Sequence, residues 1–523
     1  MRQRAARSAV ALAIVAGAAA AAGCSSSAPA TGTTSAVAGA ARPAGSWAAP
    51  NGNLANTRDA AGSRISLANV SQLKEAWTFK LPASAAKNLA DTGSLAAAPV
   101  VVNGVVYLQD LYANVYAISL ATGKLKWEYP VNVAEKTGPG PDGVAVAGGV
   151  VYGDSPTTVF ALDAATGAVR WTDKSLLSSG QGTFEIQPAV AGGRVYLASA
   201  YGAGPGGGVL LALSASTGRK LWSFNTVTGG QAAGVSSLGL GSGGAWETPL
   251  VAADGSVTFG IGNPYQSIGG AISHPAADLY TDSEVNLDAA TGKLRWYYQA
   301  EPNDFRDWDI QLSPISAVVS DGEAGRVPAI ISGGKMGDVY AFNAATGALL
   351  WKTPVGVHDG TDNDSLLLLE HKLKITLPFT YEPGALGGVL TDMAAAGGSV
   401  YAATIDLPFK FTSLTSVNGT PAATKEAGEI VALNLATGKV EWDTKVAGLP
   451  LGAATVSNNL VFTTLVGGEL IALNRSTGAV VYQQKLPAAT NSPIAVTSNA
   501  VLVPAGGPGV SADDNAQLVA YSI

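Results

Sequence analysis

Seven times along this chain an alternating apolar run meets a Thr-Gly turn and then a second short run that closes on an aromatic residue. The copies are VYAISLATGKLKW ending at Trp127, VFALDAATGAVRW at Trp171, LLALSASTGRKLW at Trp222, VNLDAATGKLRW at Trp296, VYAFNAATGALLW at Trp351, IVALNLATGKVEW at Trp442, and LIALNRSTGAVVY at Tyr482. Self-similarity at such a period marks a repeat architecture, and apolar alternation on both sides of a polar turn marks a strand-turn-strand unit. Upstream of most copies another pair of runs flanks a Gly turn, as in APVVVNGVVYLQD (98–110) and PAVAGGRVYLASA (188–200), so each unit holds four strands. An eighth unit is split between the chain ends: LVAYSI (518–523) is the first strand of a repeat hairpin, and KEAWTF (74–79), with Trp77, is its missing partner.

The fold class that follows is all-β: an eight-bladed β-propeller of four-stranded antiparallel blades. Its ring closes by pairing the N- and C-terminal strands, which removes two exposed strand edges. An aromatic residue at the same place in every repeat answers a packing need between blades. Composition agrees. Of 523 residues 47% are hydrophobic, 64 are Gly and only 13% are charged, as many short strands joined by tight turns require. A net charge of −7 offers nothing to a phosphate backbone, so nucleic acid is not an expected partner.

Three segments are expected. Residues 1–23 read as an export signal, with Arg2, Arg4 and Arg7 ahead of an uncharged Ala-rich run too short to span a membrane comfortably. The run ends in Ala21-Ala22-Gly23-Cys24, which resembles the lipobox of bacterial lipoproteins, with Ala in place of the usual Leu. This implies lipidation of Cys24 and a protein held on the outer face of the cell membrane; ordinary secretion is the alternative. Cys24 is the only Cys, which excludes an internal disulfide and any haem attached through C-x-x-C-H. Residues 24–46, rich in Ala, Ser, Thr, Gly and Pro, form a flexible tether, and 47–523 form the propeller.

Successive repeat aromatics lie mostly 40 to 55 residues apart, but Trp222 to Trp296 spans 74 and Trp351 to Trp442 spans 91. Extra residues in a propeller go to loops on its faces, where function concentrates. The first gap holds Trp246 and Gly262-Asn263-Pro264. The second holds LLLLEHKLKITLPF from Leu366, a surface flap or an additional pair of strands. The tail of the fourth repeat, ending in Asp307-Trp308-Asp309, occurs once and is where chemistry is sought.

With these residues assembled, the chain resembles the quinoprotein alcohol dehydrogenases, eight-bladed propellers that hold pyrroloquinoline quinone (PQQ) on Ca²⁺. The likeness runs from Trp47 and 51–58 (NGNLANTR) through Asn69-Val70, Leu73 and Ala76-Trp77 into the repeats. It implies that Trp246 supports the cofactor face, that Asn263 and Asp309 are metal ligands, that Asp309 is also the catalytic base, and that Lys335, in GGKMG, bonds the quinone oxygens. Each alone has an ordinary structural role; their order and their spacing at repeat boundaries carry the resemblance. The chain departs from the family at other points. The Glu ligand falls near Ala203, an Arg that holds quinone carboxylates is Asp142, a pocket Thr is Glu185, an Asn-Trp pair is Leu390-Thr391, and the adjacent Cys pair is absent.

The implied activity is oxidation of a small-molecule or polymeric alcohol by hydride transfer to PQQ. Asp309 takes the hydroxyl proton, Ca²⁺ acts as Lewis acid, and electrons pass to an external cytochrome or quinone. The alternative is a non-catalytic propeller lipoprotein that binds proteins or polymers in the cell envelope. G-x-S-x-G, H-E-x-x-H and G-x-x-x-x-G-K-[ST] are all absent, and His274, His358 and His371 are scattered in loops, where surface positions are expected.

Overall fold

The structure is a computed structural model that describes residues 46–82, 93–133, 142–202, 207–227, 243–320, 325–422, 427–507 and 516–523. The chain divides into Met1–Ala38 and Gly39–Ile523, and all described residues belong to the second unit. The signal, most of the tether, Cys24 and Ala203 lie outside them. Among the described residues no helix is long and apolar enough to cross a membrane.

Each repeat folds as its pattern dictates. The hairpin Val115–Ser119 and Leu125–Tyr129 sets Ala117 opposite Trp127, and a bulge follows the pair. The same register recurs at Ala161 and Trp171, Ala212 and Trp222, Asn286 and Trp296, Ala341 and Trp351, Ala432 and Trp442, and Ala472 and Tyr482. Two further strands precede each hairpin, giving four-stranded antiparallel sheets such as Val100–Val102, Val105–Gln109, Val115–Ser119 and Leu125–Tyr129. The last strand, Gln517–Ser522, pairs with Lys74–Lys80, which puts Trp77 opposite Ala520 and joins the first and last of the described strands in one sheet.

The first strands are short and lie side by side. Val100–Val102 neighbours Ala145–Ala147, then Ala189–Ala191, then Leu250–Val251; Ile315–Ser320 neighbours Ala394–Ala396, then Thr455–Ser457, then Ala495–Val496. The core fills the spaces between sheet faces, as where Tyr152, Val195 and Phe259 of three successive sheets pack together. The whole is propeller-like.

The repeat aromatics fasten sheet to sheet. The indole N–H groups of Trp77, Trp127, Trp171, Trp222, Trp296, Trp351 and Trp442 donate to the carbonyls of Leu120, Ala164, Ala215, Ala289, Ala344, Leu435 and Arg475, each in the turn region of the next sheet. Each ring also lies against the Gly of that sheet's Thr-Gly turn. A Cβ on Gly292, where φ is +70°, would stand 2.7 Å from Cδ2 of Trp222. The repeat thus needs Gly for two reasons, a left-handed turn and a neighbour's ring.

A second device sits where the short strands gather. Residues 47–60 cross them, exchanging backbone bonds with Val101, Ser316, Ala395 and Val456, while the Asn56 amide donates to the carbonyls of Thr248 and Pro314. Arg58 is fully buried and donates to the Ala454 and Ile494 carbonyls, Thr455 Oγ1 and Asn51 Oδ1. Burial pushes its guanidinium down to about 10, and Asp392 and Glu247 pull it back up. It therefore stays charged at neutral pH. Burial raises the carboxyls of Asp392 and Glu247 in turn, and Arg58 opposes the rise.

The second long gap forms an inserted three-stranded sheet, Phe379–Tyr381, Phe409–Phe411 and Thr420–Pro421, together with a helix, Asp364–Leu369. His358, expected at the surface, is half-buried instead, its Nδ1 2.7 Å from Asp362 Oδ1.

Gly104 also has positive φ, but a Cβ there meets no atom within 4 Å. Gly104→Ala should cost about 1 kcal/mol of backbone strain, and Gly292→Ala about 1–3 kcal/mol more from the clash, read as denaturant midpoints. Arg58→Met should cost about 1–3 kcal/mol at pH 8 by leaving the buried acceptors of Arg58 unpaired, and more by removing the charge that offsets Asp392 and Glu247. Because the folded-state pKa values of Glu247 and Asp392 lie above their unfolded values, ionising them opposes folding increasingly as pH rises towards the folded values. The loss in Arg58→Met is therefore smaller at pH 5 than at pH 8; equal losses would contradict the account.

Candidate functional site

The second strands of three consecutive sheets end at Ala200, Ile261 and Gly333, and the residues just beyond them include Tyr201, Asn263 and Lys335. The same strand end in three successive units thus delivers three polar side chains. Asp307 and Asp309 come from the segment between Leu294–Gln299 and Ile315–Ser320, and Trp246 from the approach to Leu250–Val251.

The four residues singled out from the sequence come together. Asp309 is fully buried; its Oδ1 accepts the backbone N–H of Asn263 at 2.6 Å and its Oδ2 pairs with Lys335 Nζ at 2.5 Å. Trp246 is half-buried and lies over Gly262, where a Cβ would be 2.7 Å from both the Trp246 ring and Asp309 Oδ1. Gly262 has no side chain because the ring and the carboxylate take its place. Gly334 is likewise pressed against the Asp309 carbonyl, which accepts the Lys335 backbone N–H at 3.1 Å.

Asp307, two residues before Asp309, belongs to the same cluster although the sequence reading gave it no role. Its Oδ1 accepts Asn263 Nδ2 at 2.6 Å; its Oδ2 accepts Asn418 Nδ2 at 3.0 Å and lies 3.2 Å from Lys335 Nζ. Its backbone is left-handed, with φ +66°. Burial drives the Asp307 carboxyl well up, Lys335 pulls it down, and Asp309 adds to the rise. Burial works against the Lys335 ammonium, yet Asp307 and Asp309 outweigh it and the net shift is upward, so Lys335 remains a cation.

Tyr201 and Tyr265 stand beside the carboxylates, their rings 6.3 Å apart. Burial raises both hydroxyls, and Glu185, Asp307 and Asp309 raise them further, so both stay neutral. This places Glu185 near the site, buried, with Thr183 donating to it. Asp142 is also buried, next to Gly143, which abuts Gln187. The Leu390 carbonyl accepts Gln311 Nε2, whereas the Thr391 hydroxyl is buried without a hydrogen-bond partner.

A hard cation fits part of this arrangement. Asn263 Oδ1 is buried without a hydrogen-bond partner, and the other polar atoms of Asn263 bond the carboxylates of Asp307 and Asp309, oxygen donors of the type Ca²⁺ prefers. Among the described residues, however, no three acidic, His or Cys side chains converge to hold a metal. For an anionic quinone, Trp246 offers a flat face and Lys335 a cation.

Comparison with known proteins places this geometry in context. The profile described as glucose/ethanol/alcohol dehydrogenase, β-propeller domain, matches residues 47–146 and 179–356, more than half of the chain. That described as outer membrane protein assembly factor BamB matches 426–523. Quinohemoprotein alcohol dehydrogenase ADH-IIG of Pseudomonas putida is 27% identical over 339 residues, 58% of this chain and 45% of that protein. Polyvinylalcohol dehydrogenase of Sphingopyxis sp. is 26% identical over 264 residues, 45% of this chain and 33% of that protein. The chain spans less than half the length of these curated relatives. Among solved structures, the quinohemoprotein alcohol dehydrogenase of Comamonas testosteroni superposes with TM-score 0.75 at 22% identity, covering 91% of this chain and 80% of that one. A europium-containing methanol dehydrogenase gives 0.74 at 20%, covering 92% and 98%. BamB from Moraxella catarrhalis gives 0.51 at 15%, covering 86% and 98%. The chain belongs to the PQQ-type glucose/ethanol/alcohol dehydrogenase β-propeller family.

Proposed function

We propose that this chain is a membrane-anchored quinoprotein-type oxidoreductase, an eight-bladed propeller whose ring is closed by the sheet shared between its termini. The observation that carries the reading is the meeting of Trp246, Asn263, Asp309 and Lys335, far apart in sequence, in one buried polar site. A pure scaffold gains nothing from two carboxylates and an ammonium buried together, since desolvating them is costly.

The substrate class is an alcohol, small or polymeric, in line with the names of the relatives. PQQ, when bound, supplies the hydride acceptor, with Ca²⁺ as its Lewis acid. Asn263 Oδ1 and Asp309 are the residues that would hold the ion, Trp246 gives the ring a flat neighbour, and Lys335 offers positive charge to a quinone oxygen. A carboxylate at hydrogen-bond distance takes the hydroxyl proton. Asp309 is the base in the reading from sequence. Asp307, which shares Asn263 and Lys335 with Asp309, is the second assignment. Electrons leave to an external cytochrome or quinone, and lipidation of Cys24 at the end of the export signal would keep the protein at the outer face of the membrane.

A second reading is a non-catalytic envelope scaffold that binds proteins or polymers. The BamB profile over 426–523 and the buried Glu185 near the site favour it.

The test is dye-linked alcohol oxidation by the purified protein supplied with PQQ and Ca²⁺. Replacing the true base by Asn should lower turnover by about 10² or more, leaving the far-ultraviolet circular dichroism unchanged. The companion variant, Asp307→Asn or Asp309→Asn, loses less. Full turnover in both would remove the acid–base centre from the account.

A further inference from the structure

The insert between the repeats of Trp351 and Trp442 reaches the site itself. Its strands Phe409–Phe411 and Thr420–Pro421 are joined by a loop whose Gly419, at φ +72°, packs against the Lys410 carbonyl, and the residue before it is Asn418. Asn418 Nδ2 donates to Asp307 Oδ2 at 3.0 Å, across 111 residues of chain.

Four other sets of contacts bind the insert to the segments that bear the site. The Trp308 indole N–H donates to the Pro383 carbonyl at 3.0 Å. The Tyr381 hydroxyl lies 3.1 Å from the Arg306 carbonyl and 2.8 Å from that of Asn418, so one phenol spans both partners. Behind it Phe305 packs against Phe379 and Phe411. The helix Ile268–Ser273, which follows Asn263, gives the N–H groups of Ile268 and Gly269 to the carbonyls of Ser416 and Leu414. The insert therefore grips the chain on both sides of the Asn263–Asp307 pair.

Asp307 needs such support. A non-glycine residue in the left-handed region costs of order 1 kcal/mol and persists only where its surroundings over-determine it. On Oδ1 its donor is Asn263. On Oδ2 the ammonium of Lys335 is shared with Asp309 and lies closer to Asp309, which leaves the Asn418 amide as the donor that serves Asp307 alone.

We propose that Asn418 is a positioning residue: from the insert it fixes the plane of the Asp307 carboxylate, making the insert part of the working site rather than a surface decoration. This rests on the reading of Asp307 and Asp309 as the acid–base centre. A carboxylate free to rotate loses the near-attack geometry, and misplacement on this scale costs about ten- to a hundredfold in rate.

The experiment joins steady-state alcohol oxidation to hydrogen–deuterium exchange of the full chain. Asn418→Ala, and Asn418→Asp, which keeps the shape but not the donor, should lower kcat about ten- to a hundredfold with KM changed less than about twofold. Peptides covering 303–309 should exchange faster while the unfolding midpoint stays in place. Asn418→Gln, which keeps an amide donor, should recover part of the rate. Unchanged kcat in Asn418→Ala, a loss confined to KM, or an equal loss in Asn418→Gln would each overturn the positioning role. If the wild-type protein oxidises no alcohol, the acid–base reading has failed by itself. Exchange then decides separately: faster exchange at 303–309 in Asn418→Ala supports positioning, and exchange equal to wild type overturns it.

Discussion

An indole N–H given by one sheet to a carbonyl of the next is the contact on which the rest of this molecule depends. It recurs seven times with the same geometry, each time with the ring seated on the Gly of the neighbour's turn. A buried indole must find an acceptor, and placing that acceptor at a fixed point of the next repeat makes each unit specify its neighbour's position. The exception supports the argument. Tyr482 precedes the sheet whose outer hairpin is divided between the chain ends, where no Thr-Gly turn stands ready to receive an indole, and its hydroxyl has no partner.

Sheets locked in this way bring equivalent strand ends together, and that is how the site arises. Tyr201, Asn263 and Lys335 lie one or two residues beyond the same strand end in successive units, so no long-range search is needed to assemble them. What the repeat cannot supply is charge balance. Two carboxylates are buried with one ammonium at the site, and the Arg58 guanidinium offsets the buried Asp392 and the half-buried Glu247 where residues 47–60 cross the first strands. In both places a cation from one segment faces acids from others, which ties polar chemistry to correct assembly.

The fold was legible because its signal is periodic: turn, alternation and aromatic recur, and even the split unit could be read from Trp77 and residues 518–523. Trp246, Asn263, Asp309 and Lys335 were legible through motif order. Asp307 lay in the same short motif and was passed over, since a motif with two carboxylates does not say which one faces the chemistry. Tyr201 and Tyr265 look like core aromatics until their neighbours are known. Asn418 had no signal at all, being 111 residues from its partner in an insert outside the repeat. The insert was expected as a flap or a pair of strands; strands of two or three residues carry too little alternation to announce a third. Glu185, an acid where the family has a Thr, is buried and accepts a hydrogen bond from Thr183.

Calorimetric titration of the purified protein with PQQ in the presence of Ca²⁺ is the decisive measurement for the proposed binding of PQQ at this site. The account predicts saturable, calcium-dependent binding at one site, weakened in Lys335→Met, a variant whose fold is verified by circular dichroism. Absence of binding to a folded wild-type protein, or binding indifferent to both calcium and Lys335, would contradict it and turn attention to the propeller faces as surfaces for envelope partners.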